Sequence, residues 1–255
     1  LDFMQEKDIT VLHVTPTQYS YLAGLDREAG SLKYLFLGAE KLTYSLAQRS
    51  LESVTEHCRV FNMYGPTEAT IMASALEIDR EQLQTFAALS AVPIGRPVGH
   101  TQLLVLDKYL KLCPVQITGE LHIGGGGLSN GYLNNPELTK QKFLTPPPSP
   151  LYKTGDLARW LHDGSIEFIG RIDHQVKIRG NRIEPGEIES VLNEHIDVKE
   201  AVVATVNDSA GAGSLCAYLV AAGEMKISRL REYLTSKLPD YMVPSNIMFL
   251  DKIPL

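Results

Sequence analysis

Short apolar runs alternating with helical stretches fill residues 1–92, and no other feature narrows the possible folds of this chain as much. Residues 9–15 (ITVLHVT) read as a short buried strand that Pro16 ends, and residues 16–29 suit a helix with Tyr19, Leu22, Ala23 and Leu25 on roughly one face. Leu32 to Leu37 is a second apolar run, closed by Gly38. Leu42 to His57 has helical character, and Val60 to Met63 is a further strand. Alternation of this kind implies a parallel sheet in an α/β layer, since parallel neighbours need a crossover between them. Open sheets of that type hold ligands at the carboxyl ends of their strands, so Gly38 and the segment after Met63 are expected on one rim.

Near Pro93 the pattern changes. Gln102–Asp107 and Glu120–Ile123 are strands set between Gly- and Pro-rich turns, with no convincing helix until about Asn135. That suits an antiparallel sheet or distorted barrel over about 93–172. Residues 145–150 (TPPPSP) form a surface loop, because successive prolines remove donors and fix φ. A third pattern begins near Gly170. It runs through a strand at Val176–Ile178, a helix at Pro185–His195, strands at Val198–Val206 and Leu215–Val220, and a helix at Ile227–Lys237 ended by Leu238-Pro239. The expected organisation is an α/β layer with a distorted antiparallel barrel over 1–172 and a small α+β unit over 173–255.

Charge and cysteine usage exclude several classes of function. A net charge of -6 argues against nucleic acid as partner, which needs clustered Lys and Arg. No run approaches the ~18 apolar residues of a membrane helix, and Asp2, Glu6 and Lys7 do not open a signal peptide. Cys58, Cys113 and Cys216 are far apart and lack metal-site spacing, so they read as buried thiols in a reducing compartment, and the expected location is the cytoplasm. The sequence begins without Met and in mid-pattern, which reads as a piece of a longer chain.

Four segments carry chemistry. In Asn62-Met63-Tyr64-Gly65-Pro66-Thr67-Glu68, Gly-Pro turns the chain at a strand end and presents Tyr64, Thr67 and Glu68 together. A ring can stack on a purine, a hydroxyl can bond a phosphate oxygen and a carboxylate can hold magnesium; Gly-Pro-Thr-Glu alone reads first as a plain turn with a capping Thr. Gly119 to Leu128 (GELHIGGGGL) is a strand running into four glycines, without the Lys-Ser or Lys-Thr of a Walker loop, and reads equally as a structural turn. Gly131-Tyr132-Leu133 beyond it reads as scaffold. Tyr152 to Leu157 (YKTGDL) ends in Asp156, which at a strand end can grip vicinal hydroxyls, though Thr-Gly-Asp is also an ordinary turn. Gly170 to Glu189 holds four cations between Arg171 and Arg182. Alternation puts Gln175, Lys177 and Arg179 on one strand face, and the plain reading is a solvated basic face paired with Glu184, Glu187 and Glu189.

Read together, YGPTE, GELHIGGGGLSNGYL, LYKTGDLARW, GRIDHQVKIRGNRIEPGEIE and LPDYMVP stand in the order and spacing of the adenylate-forming enzymes, and the wording resembles the adenylation domains of nonribosomal peptide synthetases over essentially the whole chain. The resemblance implies ATP with Mg2+, enclosed by a large and a small mobile subdomain. It implies Asn62 and Tyr64 at adenine, Thr67 at a phosphate, Glu68 at magnesium, Asp156 and Arg171 at the ribose, Phe168 near the base and Lys177 approaching the ribose. Asp173 is the implied hinge, with Gly180 and Arg182 on the face used for thiolation. The implied partners are a carboxylic or amino acid substrate and a peptidyl carrier domain bearing phosphopantetheine. His13, Phe36, Gly38, Met63, Ile71 and Met72 are implied to line the acid's pocket; His13 reads equally as a core residue.

Two family segments are missing from these 255 residues: the Ser/Thr/Gly-rich phosphate loop upstream and the lysine-bearing segment downstream. Residues 1–255 alone are therefore expected to adenylate little. The neighbouring alternatives are an acyl-CoA ligase of the same superfamily and, in another class, a non-catalytic docking fragment.

Overall fold

The computed structural model describes residues 2–23, 30–89, 91–145, 149–207, 213–223 and 226–254. The chain divides into two compact units, Leu1–Ile172 and Asp173–Leu255.

The first unit opens with α1 (Asp2–Glu6), β1 (Val11–Val14), α2 (Pro16–Leu22), β2 (Tyr34–Gly38), α3 (Tyr44–Glu52), β3 (Arg59–Tyr64), β4 (Ser74–Ile78), α4 (Arg80–Thr85) and β5 (Arg96–Pro97). Pro16 does end β1, and it does so by starting α2. It sits at the first helical turn behind Thr15, whose side chain caps Gln18 N–H while Gln18 caps Thr15 in return. The remainder of the helix expected over 16–29, with Leu25, lies outside the described residues from position 24 on. β1, β2 and β3 are parallel, as the strand–helix alternation requires. β4 and β5 are antiparallel, so the sheet is mixed; residues 65–73 between β3 and β4 are too few for a crossover.

One face of this sheet, through Leu35, Leu37, Val60, Leu76 and Ile78, packs under the helices with Leu46, Ala47, Leu83 and Phe86. The other face carries His13, Tyr34, Phe36, Phe61 and Arg59. β1 is an edge strand with Val11 and His13 exposed, so the expectation of a buried strand at 9–15 holds only for its inner face.

The second part of this unit is a curled antiparallel half-barrel. Its strands β6 (Thr101–Leu106), β7 (Gly119–Gly125), β8 (Phe143–Leu144), β9 (Leu151–Trp160) and β10 (Ile166–Arg171) pair in the order β10-β9-β7-β6, with β8 also on β9. Before β8, α5 (Pro136–Lys142) starts from the Asn135 cap. The central prolines of the loop expected at 145–150 lie outside the described residues. Leu103, Val105, Leu121, Ile123, Tyr152, Ala158 and Ile166 form the half-barrel core together with Tyr64, Ala69 and Ala73, so the segment after β3 is built into it.

The second unit contains the hairpin β11 (Val176–Ile178) and β12 (Asn181–Ile183), α6 (Pro185–Asn193), β13 (Val198–Asn207), β14 (Gly213–Ala221), α7 (Ile227–Lys237) and β15 (Asn246–Phe249). Its sheet runs β13-β14-β15, and Ile188, Leu192, Leu230 and Leu234 of the two helices pack on Val203, Ala217 and Leu219. Glu189 accepts the Val203 N–H at 2.8 Å, which occupies a donor on the edge strand β13. Among the described residues no helix is long and apolar enough to cross a membrane.

Candidate nucleotide site

β3 delivers Tyr64 to its carboxyl end, where the chain doubles back so that Ala73 N–H bonds Tyr64 O at 2.8 Å. Only glycine fits at the reversal. A Cβ on Gly65 would stand 2.4 Å from Ile71 O. Thr70 and Ile71 follow at φ of 57° and 69°, a left-handed pair of β-branched residues that costs on the order of 1–3 kcal/mol each. The four-glycine segment helps to hold them. Thr70 Oγ1 donates to Gly127 O at 2.7 Å, and Ser129 N–H bonds Glu68 O at 2.8 Å. Those glycines serve as a buttress against the 68–70 turn.

Within that turn Glu68 is buried, and two phenols reach it. Tyr132 donates to Oε1 at 2.6 Å and Tyr152 to the same oxygen at 2.8 Å. Burial, together with Tyr132 and the charge of Glu68, pushes the Tyr152 phenol well above its usual range, so it stays a donor.

Asp156 stands on β9 where the ladder bulges. Glu120 pairs with Leu157 and His122 with Lys153, leaving Thr154, Gly155 and Asp156 opposite Leu121 alone. Directly across on β10 is Arg171, whose Nη1 lies 2.6 Å from Asp156 Oδ1; its Nη2 donates to Thr154 O at 3.3 Å. From β3, Tyr64 Oη donates to Asp156 Oδ2 at 2.5 Å. Burial and the carboxylate's negative charge drive the Tyr64 phenol well above its ordinary value, so it remains protonated. Segments 92 residues apart in sequence thus meet through one hydrogen bond, and Tyr64, Glu68, Asp156 and Arg171 belong to one neighbourhood.

Other implied residues fall less simply. Asn62 is buried, and its amide nitrogen donates to Val92 O at 3.1 Å and Pro93 O at 2.9 Å, which leaves only its oxygen for a base. Tyr64 is 8% exposed with its ring in the half-barrel core, so it offers a hydroxyl more than an open stacking face. Phe168 and Arg171 are three residues apart and on a regular strand would face opposite ways. A bulge between Phe168 and Gly170 puts them on the same side, opposite Ala158 and Asp156. Thr67 is exposed at the start of the turn.

His13, Phe36, Gly38 and Met63 do gather on the open sheet face. The His13 and Phe36 rings lie edge to face with centroids 6.3 Å apart. A Cβ on Gly38 would stand 3.3 Å from Met63 Cβ and 3.6 Å from His13 Nε2, so glycine leaves a notch between them. Phe61, 5.2 Å from Phe36, extends the apolar floor and was not foreseen. Ile71 and Met72 stand on the strained turn, 68% and 38% exposed.

Asp173 begins the second unit, and its Oδ1 accepts Gln175 N–H at 3.3 Å. Lys177 and Arg182 face each other across the hairpin, with Arg179 and Gly180 in its tight turn at φ of 52° and 79°. In the sequence alone Tyr132 reads as scaffold, and Tyr152, Thr154 and Glu120 carry no role. Their signal was nearness in sequence to an implied site residue or to a glycine turn.

Among the described residues no group of three or more His, Cys, Asp or Glu could hold a metal by itself. Glu68 is a single buried carboxylate, and Mg2+ is commonly bound through only one or two carboxylates together with substrate phosphates.

A family model described as AMP-binding enzyme matches residues 1–133, and one described as AMP-binding enzyme C-terminal domain matches residues 187–255. The chain is 42% identical over 258 residues to tyrocidine synthase 3 of Brevibacillus parabrevis, covering 100% of this chain and 4% of that protein. It is 41% identical over 257 residues to surfactin synthase subunit 2 of Bacillus subtilis, covering 99% of this chain and 7% of that one. Among solved structures it resembles holo-PA1221, an NRPS protein containing adenylation and PCP domains, at 25% identity and a TM-score of 0.87. That likeness covers 99% of this chain and 43% of PA1221.

Proposed function

Because the chain belongs to the AMP-binding enzymes, we propose that it forms the carboxyl-terminal part of an adenylation domain that activates an amino acid or related carboxylic acid and passes it to a carrier-protein thiol. The observation that carries this reading is the meeting of Tyr64, Asp156 and Arg171 beside Glu68 and Tyr152. Three motifs distant in sequence there present hydroxyl, carboxylate and guanidinium groups at one strand rim.

In this reading Asp156 accepts hydrogen bonds from the two ribose hydroxyls. Arg171 and Tyr64 hold it ionised and fixed in direction. Phe168 lies by the base, with the Asn62 oxygen as an acceptor at the adenine edge. Thr67 donates to a phosphate oxygen. Magnesium, held by Glu68 and the phosphates of ATP, would offset negative charge as pyrophosphate departs. The substrate carboxylate oxygen attacks the α-phosphorus, the bond to the bridging oxygen breaks and pyrophosphate leaves. Attack by the phosphopantetheine thiolate on the acyl carbon then releases AMP. Positioning and charge neutralisation supply the catalysis.

The notch at Gly38, with His13, Phe36 and Met63 around it and Ile71 and Met72 on the adjoining turn, takes the acid's side chain. From the second unit, Lys177 serves the nucleotide, Asp173 is the pivot, and Gly180 and Arg182 belong to the thiolation step. These roles rest on the family pattern. Identity of 41–42% to tyrocidine and surfactin synthases favours a carrier thiol over free coenzyme A. Its three free thiols accord with a cytoplasmic setting.

Acid-dependent exchange of pyrophosphate into ATP by the full-length protein, followed by loading of a phosphopantetheinylated carrier, tests the reading. Exchange with loading of the carrier and not of coenzyme A is the expected result. Nucleotide-independent carrier binding without exchange would make it a docking module.

A further inference from the structure

We propose that Glu120 is a positioning residue for nucleotide binding, setting the direction of Asp156 through the Gly155 amide; the inference rests on the ribose role given to Asp156 above. The bulge at Thr154–Asp156 takes three residues out of the β7–β9 ladder, and their backbone groups need other partners. Thr154 Oγ1 supplies one of them by accepting Asp156 N–H at 2.9 Å, and it donates to Leu121 O, the β7 carbonyl opposite the bulge, at 2.6 Å. Gly155 O accepts Ile172 N–H at 2.8 Å. The Gly155 N–H is met by the Glu120 carboxylate, Oε1 at 3.0 Å.

Glu120 suits that task. Its side chain is 13% exposed, and its other oxygen lies 3.5 Å from Lys153 Nζ, so two neighbours fix the carboxylate. Gly155 has a φ of 76°, open to glycine and strained for other residues, so its amide direction is not enforced by a regular strand. Without Glu120 the Gly155 N–H loses its side-chain acceptor, and the 154–156 bulge can turn. The Asp156 carboxylate then no longer meets both ribose hydroxyls in the direction that Arg171 and Tyr64 otherwise fix.

The test compares binding of ATP and of 2′-deoxy- and 3′-deoxy-ATP by the full-length protein, measured by calorimetry, together with KM for ATP and for the acid. Wild type is expected to prefer ATP. Glu120→Ala lowers that preference roughly tenfold, the scale of one charge-assisted hydrogen bond, and raises KM for ATP while leaving KM for the acid within about twofold. Glu120→Gln retains an acceptor for Gly155 N–H and restores most of the preference, which also shows that the fold tolerates the site. A Glu120→Ala protein that keeps the wild-type preference overturns the proposal. So does a Glu120→Gln protein as impaired as the alanine variant. If wild type itself binds ATP and both deoxy analogues alike, the ribose reading of Asp156 fails first and takes this inference with it.

Discussion

Replacing Arg171 by Met removes a charge while keeping much of the side chain's bulk, and the structure sets the size of the consequence. Arg171 and Asp156 are 13% and 9% exposed and meet at 2.6 Å. At an effective dielectric near 20, unit charges about 4 Å apart attract by ~4 kcal/mol. Much of that is offset by desolvation, but taking away one partner leaves the other buried without its counter-charge, which typically costs ~3–5 kcal/mol. Tyr64 stays on Oδ2 and retains a charge-assisted hydrogen bond, so the net loss expected for the β9–β10 region is roughly 2–4 kcal/mol. Asp156→Asn should cost a similar amount, since buried Arg171 loses the carboxylate that balances its charge. The double variant buries neither charge and should lose only about 1–2 kcal/mol. Hydrogen exchange of peptides spanning 151–172 in the full-length protein reads local opening directly. Strictly additive single and double variants, or wild-type exchange in Arg171→Met, would refute the argument that this pair organises the site.

Three further outcomes follow from the same geometry. Gly65→Ala drives a Cβ to 2.4 Å from Ile71 O and should lower the thermal midpoint measurably, by roughly 2 kcal/mol or more of stability, because backbone has to move. His122 is fully buried, and loss of solvent pushes its imidazole pKa below the ordinary histidine range. The unfolded chain therefore takes up a proton where the folded one resists it. This contribution is fully present above about pH 6.5 and is lost as pH falls toward the depressed folded value. Urea midpoints at two pH values on either side of that range should show the slope, and His122→Gln should flatten it. Glu68→Gln should raise the Mg2+ concentration needed for half-maximal pyrophosphate exchange about tenfold while leaving the thermal midpoint nearly unchanged; an unchanged Mg2+ requirement would remove Glu68 from the metal site.

The fold was legible where periodicity was strong. α7 matches its expected bounds, and β2 and β3 lie where apolar runs placed them. α3 stops at Glu52, short of His57, where the capping N–H of Ser53 returns to Arg49 and β-branched Val54 and Thr55 follow. α4 escaped notice because Leu83 is the one apolar residue in its six, too little to show a period. The short strands β4, β12 and β15 were missed because their character depends on neighbours, with β15 pairing β14 in parallel after a long excursion through α7.

At the site, motif order showed which segments meet but not how their backbones turn. The bulges that bring Phe168 beside Arg171 and lift Thr154–Asp156 from the ladder are pairing events between strands, invisible in either strand alone. Glu120 and Tyr152 looked like ordinary strand residues for the same reason. Asn62 is the converse case, a motif residue whose amide is committed to the 92–93 backbone.

The most direct test is the position of the ribose in a crystal structure of the full-length protein with AMP. Both ribose hydroxyls should lie within hydrogen-bonding distance, about 3.2 Å or less, of the Asp156 carboxylate, with Phe168 beside the purine. A ribose bound elsewhere, with Asp156 still closed by Tyr64 and Arg171, would contradict the account.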